Sequence, residues 1–268
     1  MTDNPHHLAT PSGKPRARSF NIDFDGTPGP FNAITDVPGV AVGYTSLISG
    51  DGALVVGKGP VRTGVTAILP RPRAELATPV FAGIFSQNGN GELTGSHIIE
   101  ETGAFNFPIT ITNTHSCGVS RDGTLRWMNR VLPAAIDSAW GLPVAAETYD
   151  GFLNDINGHH LTSEHVAEAL DGAAGGPVEE GSVGGGTGMI TFGFKAGSGT
   201  ASRIVAWQGR TYTAGAFVQS NFGKRHNFTM RGRRADPELT EPAIREATSR
   251  AEKGSIIAVI ATDAPFLP

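Results

Sequence analysis

Lys253-Gly254-Ser255-Ile256-Ile257-Ala258-Val259-Ile260-Ala261 joins two unlike stretches of chain. Upstream, residues 224–253 are first basic (Arg231, Arg233, Arg234) and then acidic and helix-prone, which reads as an exposed linker. Downstream, the run from Ile256 shows no polar alternation, and such a run predicts a central strand buried on both faces. Ser255 therefore heads an interior element. A Gly–Ser pair alone says nothing, because Gly95-Ser96, Gly181-Ser182 and Gly197-Ser198 also occur. The junction is what differs, and it suits an N-terminal nucleophile. A glycine before the serine admits the strained dihedrals that let a hydroxyl attack the preceding carbonyl. Cleavage at Gly254–Ser255 would free an α-amine, with an ordinary pKa of about 7.7–8.0, to act as base for the same hydroxyl. The plainer reading is a serine that caps a strand after a loop.

From residue 34 the chain falls into short apolar runs broken by Gly, Pro, Asn and Asp. Residues 40–44, 64–69 and 107–112 are rich in β-branched side chains between turn formers, which predicts strands. Residues 189–195, 202–207 and 212–218 predict an antiparallel meander of three strands joined by glycine-containing turns. Helices are fewer. One is expected over 94–101 with Thr94 as cap, and one over 162–170 with Thr162 or Ser163 as cap and Val166 and Leu170 on one face. A third, over 121–139, should break at Pro133. Residues 1–25 read as a flexible arm and 26–268 as one domain. The class is mixed α/β (α+β), with sheets covered by helices.

Composition removes several functions. Hydrophobic residues make up 39% and charged residues 17%, with 36 Gly and 18 Pro, a turn-rich balance. A net charge of −4 without a basic, aromatic-studded stripe gives no nucleic-acid footprint. Cys117 is the only cysteine, which excludes an intrachain disulfide and a thiolate-rich zinc site. The eight histidines form neither H-E-x-x-H nor an i, i+4 pair, so no metal is expected. No cofactor is expected either. The first twenty residues have no apolar core of a signal peptide, and residues 256–261 are too short to span a bilayer. A soluble, cytoplasmic protein without a membrane partner is expected.

Other residues could assist a hydroxyl nucleophile. Asn221 follows the strand-like 214–219, and an asparagine amide there is a neutral, fixed donor to an oxyanion; a turn asparagine near Gly223 is the plain alternative. Tyr149, after the strand-like 142–146, can donate to a developing charge or line a pocket, or simply pack. Two polar loops, Asn88-Gly89-Asn90-Gly91-Glu92 and Thr112-Asn113-Thr114-His115, follow strands and can reach a site, but both are equally readable as turns, and His115 as a core histidine. Gly184-Gly185-Gly186-Thr187-Gly188 invites a phosphate-loop reading, but no Lys-Ser/Thr follows and the next segment is strand-like. Close packing against another segment or a substrate backbone fits it better. No G-x-S-x-G elbow is present.

Taken together, Pro28-Gly29-Pro30-Phe31-Asn32-Ala33-Ile34-Thr35-Asp36-Val37-Pro38-Gly39-Val40, Gly59-Pro60-Val61-Arg62-Thr63-Gly64-Val65-Thr66-Ala67, Asn88-Gly89-Asn90-Gly91-Glu92, Ala146-Glu147-Thr148-Tyr149-Asp150-Gly151, the GSVGGGTGM run from Gly181 to Met189, and Gly254-Ser255 through Asp263-Ala264-Pro265 resemble the DmpA family. These are L-aminopeptidase/D-amidase/D-esterase enzymes related to β-peptidyl aminopeptidases. The resemblance runs in order from about residue 26 onward. It implies an αββα sandwich similar to N-terminal nucleophile hydrolases with different connectivity, and self-cleavage before Ser255 into two chains that stay together. It implies Ser255 as nucleophile, Asn221 as oxyanion donor and Tyr149 as an active-site tyrosine. Substrate contacts are expected near Asn88, Asn113, His115 and Gly185. Short peptides, amides and esters are the implied substrates, and a homo-tetramer the implied assembly. The family pattern continues past the segment matching 263–268, with another serine and a glutamate of the site. The expectation is thus a C-terminally incomplete sandwich, inactive by itself, whose partner is its own C-terminal segment. The rival readings are acyl transfer of the ornithine acetyltransferase kind, which uses threonine where Ser255 stands, and a non-catalytic binding module.

Overall fold

The computed structural model describes residues 4–138, 140–235, 238, 244 and 254–266. Its first sheet has four strands, β1 (Ala41–Ser49), β2 (Val61–Leu69), β3 (Ile109–Asn113) and β4 (Val144–Thr148), in that spatial order. β1, β2 and β3 pair antiparallel, and β3 and β4 pair parallel. A parallel pair needs a crossover, which α1 (Cys117–Val131) and a short helix at Pro133–Ser138 supply. The break expected at Pro133 is present, because a proline cannot donate into the preceding turn. A second sheet has β5 (Ser198–Trp207), β6 (Arg210–Asn221) and β7 (Ser255–Thr262), with β6 in the middle and both neighbours antiparallel to it.

The first sheet is sandwiched. One face meets α1 and α2 (Ser163–Asp171) through Val65, Ala67 and Leu69 of β2 against Trp127, Met128, Val166, Ala169 and Leu170. The other face, with Val42, Ile68, Ile111 and Ala146, meets Phe217, Ile257, Val259 and Ala261 of the second sheet. Full burial of such side chains stabilises by roughly 1.5–3 kcal/mol each, so these two interiors fix the layer order helix, sheet, sheet. Thr162 caps α2 as expected, and Val166 and Leu170 are buried.

Four expectations change. Among the described residues β7 lies at the edge of its sheet and its residues alternate in exposure: Ile257 and Val259 pack inward, while Ile256 is 43% and Ile260 78% exposed. A continuous apolar run does not reveal which of its faces is covered. Residues 189–195 do not form one strand of a meander. Ile190–Thr191 and Phe194–Lys195 make a hairpin of their own, because Phe192 (φ 52°) and Gly193 (φ 70°) both turn left-handed, the requirement of a tight two-residue turn. Thr94 does not cap the Ser96–Thr102 helix, which starts from Gly95; its hydroxyl instead bonds Pro143 O and Ala145 N. The arm expected to be loose is held by Arg16. That guanidinium is 8% exposed, pairs with Glu180 at 3.0 Å and donates to the carbonyls of His6, Phe31, Asn32 and Thr200. Of the expected linker, residues 236–237, 239–243 and 245–253 lie outside the described residues.

Candidate active site

Ser255 opens β7 and sits in register opposite Asn221, the last residue of β6. Strand alternation puts Ser255 on the same side as Ile257 and Val259, facing the first sheet. Asn221 Nδ2 donates to Ser255 Oγ at 3.3 Å and to Tyr149 O at 2.8 Å. Its Oδ1 accepts from Ile190 N at 3.1 Å. A backbone N–H can only donate, so this contact fixes which end of the amide faces Ser255. The result is a neutral N–H donor, 8% exposed, beside a hydroxyl at a strand head.

At Gly254 the surroundings supply a steric reason for glycine. A Cβ there would lie 2.6 Å from Phe222 Cβ and 3.0 Å from Phe222 Cα. The requirement is close approach of two backbones. Phe222 is itself fixed: its carbonyl accepts from Phe192 N at 2.9 Å, and the two rings meet edge-on at 5.2 Å.

Tyr149 contributes in two ways. Its carbonyl holds Asn221, while the residue is 41% exposed and its ring packs edge-on against Phe152 at 5.8 Å. Asn113 is buried; Oδ1 accepts from His115 N and Ser116 N at 3.0 Å each, and Nδ2 donates to Thr63 Oγ1 at 2.8 Å. His115 is exposed and stacks on His159, so it is not a core histidine. Asn88 is exposed and its Oδ1 accepts from Asn90 N. Gly185 is buried between the sheets, donates to Thr66 Oγ1 at 3.1 Å, and would put a Cβ 2.4 Å from Ile111 O. The glycine run is thus a tightly packed segment.

Two acids escaped attention in the sequence. Glu147 is 2% exposed; its carboxylate accepts from Glu92 N at 3.0 Å and from the Thr114 hydroxyl, tying together the two polar loops singled out above. Burial pushes Asp150 up to about 6, against hydrogen bonds from Thr63 and Asn154 that lower it. An acid closing an apolar strand was the available signal for Glu147. Cys117 is no rival nucleophile, since burial, with smaller contributions from Glu92 and Glu147, pushes its thiol up to about 12. Burial lowers Lys195 to about 8, and its ammonium donates to the carbonyls of Gly186, Met189 and Ala196. Two cavities of about 430 and 300 Å³ share Lys195 as lining, and Ser255 lines neither. No three His, Cys, Asp or Glu side chains among the described residues are grouped to hold a metal ion.

A mixed sheet facing an antiparallel one under a helical layer, with a hydroxyl and an amide at the head of a strand, fits the architecture of a variant N-terminal nucleophile hydrolase fold. The L-aminopeptidase D-Ala-esterase/amidase of Ochrobactrum anthropi, described as a prototype serine aminopeptidase with a new variant of that fold, superposes with a TM-score of 0.84 at 47% identity. The match covers 95% of this chain and 69% of that one. The chain belongs to peptidase family S58, whose model matches residues 32–268. It is 53% identical over 265 residues to the β-peptidyl aminopeptidase BapA of Sphingosinicella microcystinivorans, covering 95% of this chain and 66% of that protein. BapA of Sphingosinicella xenopeptidilytica is 47% identical over 263 residues, covering 95% and 65%. The chain spans about two thirds of the length of these curated relatives.

Proposed function

We propose that this chain carries the nucleophile of a self-processing serine aminopeptidase, which releases N-terminal residues from short peptides, amides and esters. The observation that carries the reading is the Ser255 Oγ–Asn221 Nδ2 contact of 3.3 Å at the head of β7, reached through a glycine wedged against Phe222. In processing, Ser255 Oγ bonds to the Gly254 carbonyl carbon, the C–N bond breaks, and the hydroxyl proton passes to the departing nitrogen. Water then hydrolyses the ester, which leaves a carboxylate on Gly254 and a free amine on Ser255. In turnover that amine takes the Oγ proton as Oγ attacks the substrate carbonyl. Asn221 donates to the oxyanion, the proton passes to the leaving amine, and water releases the acyl group. In this reading Tyr149, 41% exposed and bonded to Asn221 through its carbonyl, lines the substrate's approach. The further layer that this reading expects would cover the outer side of the second sheet, where Ile256 and Ile260 stand exposed.

The test is expression of the full coding sequence, followed by denaturing electrophoresis and N-terminal sequencing. Two bands are expected, the smaller beginning at Ser255. Ser255→Ala should give one band and no release of an N-terminal residue from a peptide amide. A new terminus elsewhere, or cleavage persisting in Ser255→Ala, refutes the reading.

A further inference from the structure

We propose that Gln219 is a positioning residue for the Ser255–Asn221 pair, holding the Asn221 amide in place through Thr148 and Met189; the inference rests on the function proposed above. Gln219 lies two residues before Asn221 on the same face of β6, opposite Ile257. Its side chain is fully buried, in the interior that Phe217, Ile111 and Ala146 otherwise keep apolar. A glutamine is a costly choice there, because its Oε1 has no hydrogen-bond partner among the described residues, and an unsatisfied buried carbonyl is destabilising.

The amide cannot turn over to relieve this. Nε2 donates to Thr112 O at 3.3 Å, and a carbonyl can only accept. Oε1 is left facing Gly185, where a Cβ would lie 2.3 Å from it. In return Nε2 donates to Thr148 Oγ1 at 2.7 Å, and the Thr148 hydroxyl donates a hydrogen bond to Met189 Sδ at 2.9 Å. Each of these two residues immediately precedes a backbone group that grips Asn221. Tyr149 O takes Nδ2 at 2.8 Å, and Ile190 N gives to Oδ1 at 3.1 Å. Gln219, Thr148 and Met189 thus form an inner tier beneath the tier of Tyr149, Asn221 and Ile190. If the inner tier slips, both grips on the amide slip with it.

A role in bulk stability predicts a different result from a role in positioning. Gln219→Leu removes the orphaned carbonyl along with the donor, so the melting temperature should hold or rise. The rate of self-cleavage and kcat for a peptide amide should fall about 10- to 100-fold, the scale of a misdirected oxyanion donor, with KM within about 2-fold. Thr148→Val should give the same kinetic defect, and the double variant should be no slower than the worse single, because both cut one chain of contacts. Unchanged rates in Gln219→Leu overturn the proposal. So do additive losses in the double variant, or a rate loss matched by a fall in melting temperature. In the Ser255→Ala background, amide NMR of Asn221 reads the same geometry without catalysis. Its side-chain NH₂ signals should shift or broaden on Gln219→Leu and Thr148→Val, and unaltered signals also overturn the proposal. Wild-type protein that fails to cleave, with these signals still responding, refutes the proposed function and leaves the positioning intact.

Discussion

Replacing Gly254 by alanine tests the steric account of self-cleavage. The added methyl would stand 2.6 Å from Phe222 Cβ and 3.0 Å from Phe222 Cα. Both atoms are rooted in the backbone, so no rotamer change relieves the overlap; the segment carrying the scissile bond must move. Overpacking of this kind costs about 1–3 kcal/mol. If that cost falls on the geometry of attack, it slows cleavage about 5- to 150-fold at 1.4 kcal/mol per tenfold. The assay is a time course of precursor and product bands after purification at low temperature. The second arm is Gly254→Ala with Phe222→Gly, which removes the nearer atom and should restore part of the lost rate. Gly254→Ala cleaving at the wild-type rate refutes the reasoning. A slow Gly254→Ala that Phe222→Gly does not accelerate shows that glycine is needed for backbone freedom instead.

Two further outcomes follow from buried charges. Arg16→Ala strips the partner from Glu180 and from four carbonyls; a loss of about 3–5 kcal/mol is expected in urea unfolding, with early proteolysis within residues 4–20. Asp150 is raised by burial to about 6, so the folded state holds a proton that the unfolded chain releases near pH 4. Stability should therefore decline as pH rises from about 4 to 6, and Asp150→Asn should flatten that slope in melting curves taken at stepped pH.

Much of the architecture was legible because it rests on local chemistry. The strands about Val65 and Ile111, the stop at Pro133 and the cap at Thr162 each follow from residue type and period. The edge position of β7 was not legible: alternation is visible only when polar residues mark the exposed face, and Ile256 and Ile260 give no such mark. The hairpin at Phe192–Gly193 was hidden because phenylalanine is a poor advertisement for a left-handed turn. For the site, Ser255 and Asn221 were found by their places at strand ends, and the structure puts them side by side. Gln219 and Glu147 were missed because their meaning lies in contacts with residues more than fifty positions away, such as Thr148 and Glu92. Composition and spacing carry no record of such contacts.

The ladder between β6 and β7 joins eight residue pairs, from Asn221 with Ser255 to Ala214 with Thr262. A scission just ahead of Ser255 severs none of them. A liberated end would stay clamped at its post by the pairing along its whole length, and only the chemistry of its first nitrogen would change. On the function proposed above, maturation would be bond breaking without unmooring, with the tool assembled before it is unsheathed.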